Sequence, residues 1–83
     1  MVVTIRYFAG AKAAAGVGDE QLTLPPESTV DDALRLVRDR HGEGFARVLT
    51  ASSLLLDGVA VRDTTIPLAG GTELDVLPPF AGG

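Results

Sequence analysis

The sequence contains no cysteine, a single histidine and few positive charges, and each shortage removes a class of chemistry. Without cysteine there is no disulfide, no thiolate nucleophile and no cysteine-held zinc or iron–sulfur cluster. With His41 as the only histidine, a Cys–His pair and a histidine-rich metal cluster are both excluded, and no metal site is expected. Eleven Asp and Glu against seven Lys and Arg leave a formal net charge of -4. That balance repels phosphate backbones and anionic membrane surfaces, so neither nucleic acid nor membrane is expected as a partner. No apolar run approaches the roughly 20 residues of a membrane span, and Arg6 interrupts the apolar start too early for a secretory signal. The expected location is cytoplasmic.

What remains is an 83-residue chain that is 46% hydrophobic, enough for one small domain over residues 1–83 held by a single core. Residues 2–8 alternate, with Val3, Ile5 and Tyr7 on one face and Thr4, Arg6 and Phe8 on the other, which predicts a strand. The alanine-rich stretch over residues 9–16 is broken by Gly10 and Gly16 and reads as a loop with helical character. Residues 20–24 alternate again until Pro25-Pro26 stops them, predicting a second strand paired with the first. Thr29 with Asp32 three residues on is an acidic variant of the capping box. Val30, Ala33, Leu34 and Val37 then form one apolar helical face that ends at Gly42. Residues 43–52 carry only a weak pattern in which Phe45, Val48 and Leu49 suggest a short helical piece. Asp57-Gly58, between two apolar runs, predicts a hairpin with a type I′ turn, and residues 73–77 predict a last strand with Leu74 and Val76 facing inward. This order predicts an α+β fold in which one main helix covers a mixed sheet of about five strands.

Side chains arranged for catalysis are scarce. His41 falls in the last turn of the helix beside its apolar stripe, the place of a partly buried, dipole-stabilised imidazole. Asp31 and Asp32 diverge by about 100° on a helix and serve its N-terminus; they cannot act as an acid–base pair. Gly16-Val17-Gly18 lacks the third glycine and the strand–helix setting of a dinucleotide site and reads as a turn. Lys12, the only lysine, is a solvated loop charge.

The informative segment is Leu77-Pro78-Pro79-Phe80-Ala81-Gly82-Gly83. Two prolines stiffen the exit from the last strand, and at about 3.3 Å per residue the final four residues project roughly 13 Å. Gly82 and Gly83 lack Cβ atoms and fit a cleft too narrow for other residues, presenting the α-carboxylate to chemistry. Phe80, with Leu77 and Phe8 on the outer sheet face, is expected to form an apolar patch for a protein partner.

Over its whole length the chain resembles the ubiquitin-like β-grasp sulfur carriers, in particular the MoaD family, the small subunit of molybdopterin synthase. The resemblance rests on the Val3-Thr4-Ile5-Arg6-Tyr7-Phe8-Ala9 opening, Gly16, Thr29-Val30, Asp57-Gly58, Pro67-Leu68, Gly71 and above all the terminal motif. Many members carry Arg-Glu where this chain has Lys12-Ala13, and Asp-Gly-Asp where it has Gly70-Gly71-Thr72. The resemblance implies a ubiquitin-like β-grasp with residues 78–83 as a protruding tail. It also implies that an E1-like adenylating enzyme uses ATP to activate Gly83, and that a sulfur donor protein converts its carboxyl to a thiocarboxylate. The large synthase subunit then receives the tail, and its active site supplies the acid–base groups that act on a pterin precursor. Gly83 would carry the sulfur, Gly82 would thread the channel, and Phe8, Leu77, Pro78, Pro79, Phe80 and Ala81 would meet the partner. No stably bound cofactor is implied. Sulfur delivery to thiamin or cysteine biosynthesis, protein modification through Gly83, and a non-covalent binding module with an inert tail are the alternatives.

Overall fold

The computed structural model describes residues 1–79. Along this stretch lie β1 (Val2–Tyr7), α1 (Ala9–Ala15), β2 (Asp19–Thr23), α2 (Val30–His41), α3 (Glu43–Thr50), β3 (Ser53–Leu56), β4 (Val59–Ala60) and β5 (Glu73–Leu77). The five strands form one mixed sheet in the order β2-β1-β5-β3-β4. β5 runs parallel to β1, pairing Arg6 with Asp75 and Tyr7 with Val76, and antiparallel to β3, pairing Leu77 with Ser53. Because parallel neighbours cannot be joined by a tight turn, the intervening chain is the crossover, and it carries the helices to one face.

That face is the core. Val3, Ile5 and Tyr7 from β1, Leu22 from β2, and Leu74 and Val76 from β5 are at most 1% exposed, as the alternation over β1 and β5 predicts. α2 lays Val30, Ala33, Leu34 and Val37 on them. Its start is fixed by a complete capping box. Asp32 N–H donates to Thr29 Oγ1 at 3.2 Å, and Thr29 N–H donates to Asp32 Oδ2 at 2.8 Å. The Thr29 N–H and the Thr29 hydroxyl both donate to Asp32 Oδ2 and hold the Asp32 carboxyl below its ordinary range. Gly42, with φ +88°, ends α2 and begins α3.

Three helices pack on the sheet where the sequence predicts one main helix. The stretch read as a loop is α1, a two-turn helix whose Ala11 is 2% exposed and whose end is set by Gly16 in the left-handed region, with its N–H bonded to the Lys12 carbonyl at 2.9 Å. Small side chains let α1 lie close to α3: a Cβ at Gly10 would sit 3.8 Å from Val48 Cγ1. Tertiary packing thus offsets the poor helix propensity of glycine, a term of about 1 kcal/mol. α3 buries Phe45 and Leu49, one turn apart. The β3–β4 turn is as predicted, with positive φ at both Asp57 (48°) and Gly58 (83°). Asp57 also clamps the start of β5, since its Oδ1 accepts from Glu73 N–H and its own N–H donates to the Glu73 carbonyl, both at 2.9 Å.

Candidate functional site

The strand that leads to the C-terminus lies in the middle of the sheet, so its last residues inherit a rigid base. Inward-facing Leu74 and Val76 anchor β5 in the core; Glu73, Asp75 and Leu77 therefore project from the outer face. The β1–β5 ladder continues one step past β1, where Phe8 N–H donates to the Val76 carbonyl at 3.0 Å. This step sets Phe8, 38% exposed, beside half-buried Leu77, and Pro78 and Pro79 follow in solvent. The structure thus joins Phe8, Leu77, Pro78 and Pro79 into one surface at the tail's root. Phe80, Ala81, Gly82 and Gly83, also expected at the site, lie outside the described residues.

Next to this surface is a charged lock that the sequence reading did not identify. Arg6 grips Asp75 with two parallel bonds, Nε to Oδ1 at 2.7 Å and the terminal amine to Oδ2 at 2.8 Å. It also pairs with Glu73 at 3.2 Å, and its guanidinium lies 5.4 Å from the centroid of the Phe8 ring. The hydrogen bond that Arg6 donates to Asp75 leads the effects that raise the Arg6 pKa above its ordinary range. The signal was opposite charge on the outward faces of two strands; it becomes readable only once β1 and β5 are known to be neighbours.

On the helix side, Glu20 accepts from Tyr7 Oη at 2.6 Å and from Arg40 at 2.6 Å, and its Oε2 lies 2.5 Å from His41 Nε2. Burial works to raise the Glu20 pKa, but the bonds from Tyr7, His41 and Arg40 outweigh it and hold the carboxyl at about 2. Burial, reinforced by the Glu20 bond, pushes the Tyr7 hydroxyl above its ordinary range. The His41 ring packs against Phe45 at 5.0 Å and edge-on to Tyr7 at 5.9 Å. His41 is therefore the partly buried last-turn imidazole expected of it, closing the seam between β2 and α2. Among the described residues no group of three or more His, Cys, Asp or Glu could hold a metal ion, and no helix is long and apolar enough to cross a membrane. Among the described residues acid, base and nucleophile do not converge on this surface. What it offers is an apolar platform where β5 leaves the sheet.

Comparison with known proteins places this arrangement. No curated protein matches the chain. Among solved structures, one assigned as molybdopterin converting factor, subunit 1, from Pyrococcus furiosus superposes with a TM-score of 0.85 at 26% identity, covering 95% of this chain and 98% of that one. SAMP1 from Haloferax volcanii superposes with a TM-score of 0.84 at 26% identity over 100% of both chains. A complex of subunits 1 and 2 of molybdopterin-converting factor from Helicobacter pylori contains the same fold, with a TM-score of 0.72 at 23% identity over 100% of both chains. The model of the ThiS family matches residues 5–83. The chain has the ubiquitin-like β-grasp fold and belongs to the ThiS family, within the MoaD/ThiS superfamily of ubiquitin-like sulfur carriers and modifiers.

Proposed function

We propose that this protein is the sulfur-carrier subunit of molybdopterin synthase, working in the cytoplasm as a substrate-like shuttle with no catalytic groups of its own. The observation that carries this reading is the family match running through Gly83, at the end of a tail rooted on the central strand β5. A free carboxylate is a poor acyl electrophile. In the proposed cycle an E1-like enzyme joins the Gly83 carboxylate to the α-phosphate of ATP and pyrophosphate leaves. The outer sulfur of a persulfide on the donor protein then attacks the acyl carbon and AMP departs, leaving an acyl disulfide; a thiol attacks the donor's sulfur of that bond, becomes its disulfide partner and releases the Gly83 thiocarboxylate. The chain's own residues bind and orient. Phe8, Leu77, Pro78, Pro79, Phe80 and Ala81 seat the large subunit, and Gly82 passes the narrow entry so that the Gly83 sulfur reaches the pterin precursor. The chain itself holds no stable cofactor; ATP belongs to the activating step.

The test is intact-protein mass spectrometry after incubation with the adenylating enzyme, ATP and sulfur donor. The expected result is the mass gain of one oxygen replaced by sulfur, localised to Gly83, followed by its loss to a pterin product when the large subunit and the pterin precursor are added. An unchanged mass with active components overturns the reading. The likeness to SAMP1, a small archaeal modifier protein, supports a second reading, in which the activated Gly83 forms an isopeptide bond with lysines of target proteins. Covalent adducts that resist hydroxylamine and need Gly83 would favour it, as would an absence of pterin product.

A further inference from the structure

On the helix side, at the end of the sheet where α2, α3 and the β3–β4 hairpin meet, lies a cleft of about 540 Å³. This is within the size range of ligand-binding clefts. Its floor is aliphatic: Leu34 from α2, Leu49 from α3, Leu54 from β3, and Val61, held in place by its N–H bond to the Leu54 carbonyl at 3.0 Å. Its walls carry Arg38, one helical turn from Leu34, and Arg62 after β4; none of the residues lining it is acidic.

Among the described residues three of the six arginines lack a carboxylate partner, Arg38, Arg47 and Arg62, and two of the three meet in this cleft. Acidic residues outnumber basic ones eleven to seven, and Arg6, Arg35 and Arg40 are each ion-paired to a carboxylate. Arg38 and Arg62 have no carboxylate partner among the described residues. The end of α3 does not occupy them either. Its Ala46 and Val48 carbonyls accept from the Thr50 and Ser52 hydroxyls at 3.0 and 2.7 Å, so those lone pairs are already used. The cleft therefore keeps two uncommitted cations over an apolar floor on an otherwise negative protein. Its position ties it to the tail. Leu77, the last residue of β5, is in register with Ser53, which lines the cleft, and β5 runs antiparallel to β3, so the chain leaves the sheet in the direction of Ser52 and Thr50.

We propose that this cleft docks an acidic segment of the large subunit, whose carboxylates pair with Arg38 and Arg62 while one aliphatic side chain seats on the leucine and valine floor. The inference rests on the reading that the large subunit receives the tail. Charge complementarity picks out the occupant: a partner selected by the whole surface of this protein would be basic, whereas here two unpaired arginines line one cleft with no acidic residue among its walls, and Arg47 and Lys12, the other unpaired cationic side chains among the described residues, stand apart from it. Contact at the cleft, beside the tail's exit, fixes the rotation of the domain about its tail, which insertion of the tail alone leaves free.

The experiment is calorimetric titration of the full-length protein with the large subunit at low and moderate salt. R38E/R62E is expected to weaken binding by roughly tenfold or more and R38M/R62M, which keeps the apolar stems, by several-fold, both with a shallower salt dependence. Melting temperatures are expected to stay where they are, because neither guanidinium has a partner to lose. Unchanged affinity of R38E/R62E overturns the proposal, and so does normal affinity of R38M/R62M, which would reduce the arginines to covers for the floor. If R38E/R62E impairs only binding to the adenylating enzyme, the assigned occupant is wrong. If removal of residues 80–83 shifts the methyl resonances of Leu34 and Val61 in the isolated protein, the chain's own tail is the occupant and the proposal fails. Binding by the unsubstituted protein separates the two claims: neutral substitutions on a protein that binds sink the cleft proposal alone, whereas no binding at all sinks both.

Discussion

Arg6 and Tyr7 are consecutive residues of β1, yet they anchor polar clusters on opposite faces of the sheet, and the two clusters are built for different ends. Tyr7 points inward to Glu20, whose carboxylate also meets Arg40 and His41, and aromatic rings cover the group. Arg6 points outward to Asp75 and Glu73, remains 41% exposed, and borders Phe8 and the root of the tail. The inner cluster satisfies charge at the edge of a core, where an unpaired group is expensive. The outer one flattens and orients a surface that stays open to a partner. Substitutions should therefore separate cleanly: inner changes move stability and leave tail chemistry intact, whereas outer changes do the reverse.

The strongest attempt to break this division is Phe45→Ala. Phe45 is 1% exposed and packs edge-on against Tyr7 at 5.3 Å, so its removal opens a cavity under the inner cluster. The expected loss is about 3–5 kcal/mol in urea unfolding, a large share of the stability of a domain this small. At a temperature where the variant is still folded, thiocarboxylate formation at Gly83 is expected at the normal rate, measured by intact mass. A slowed reaction in folded protein would mean that the core and the tail are coupled.

Glu20→Gln comes next. The substitution removes the charge that Tyr7, Arg40 and His41 share, and a lost stability of about 1–3 kcal/mol is expected for unmade charge-assisted bonds. The pH dependence sharpens the test. The folded carboxyl is held at about 2 against an ordinary 4.5, so between those values the unfolded chain binds a proton that the folded one does not. The contribution of Glu20 is therefore complete above pH 4.5 and is lost as the pH falls toward 2. In Glu20→Gln the urea midpoint should vary less over that interval, with residual slope from carboxyls such as Asp32 and Asp63, whose own hydrogen bonds hold them low. An unaltered slope would show that the inner cluster does not stabilise the fold through its charge.

The same division explains what could be read in advance. β1, β5 and α2 were legible because one side of each is buried without interruption, which stamps a period of 2 or 3.6 on the residues. α3 was legible more faintly, as a short helical piece carried by Phe45, Val48 and Leu49, because it is too short to repeat its Phe45–Leu49 spacing. α1 read as a loop with helical character: it buries only Ala11 and packs with small residues that carry no periodic signal. Phe8 and Leu77 could be assigned to one outer face from alternation alone. The Arg6–Asp75 lock could not, since it joins residues 69 apart and depends on which strands are neighbours. Glu20 was hidden for a related reason. It shares the inward face with Leu22, and its partners Arg40 and His41 arrive from the far end of α2.

Arg6→Met should affect folding less than either inner substitution and should have the most specific effect on binding. Its stem still covers Phe8, but Asp75, with 9% of its side chain exposed, loses its bidentate partner, whereas Asp75→Asn leaves Arg6 to Glu73 and solvent. Losing the partner of the more buried group is the costlier change, so Arg6→Met should lower the urea midpoint more than Asp75→Asn, and both less than Glu20→Gln. The double variant should lie closer to Asp75→Asn than the sum of the single effects, because it leaves no unpaired charge. In titrations with the large subunit, Arg6→Met should weaken association several-fold and by more at low salt, since what is lost is the charged border of the platform and not its apolar floor. Phe8→Ala should weaken it at every salt concentration alike. If Arg6→Met instead unfolds the domain as readily as Glu20→Gln, the outer cluster is a structural element like the inner one, and the two faces of β1 do not divide the labour between holding the fold and meeting a partner.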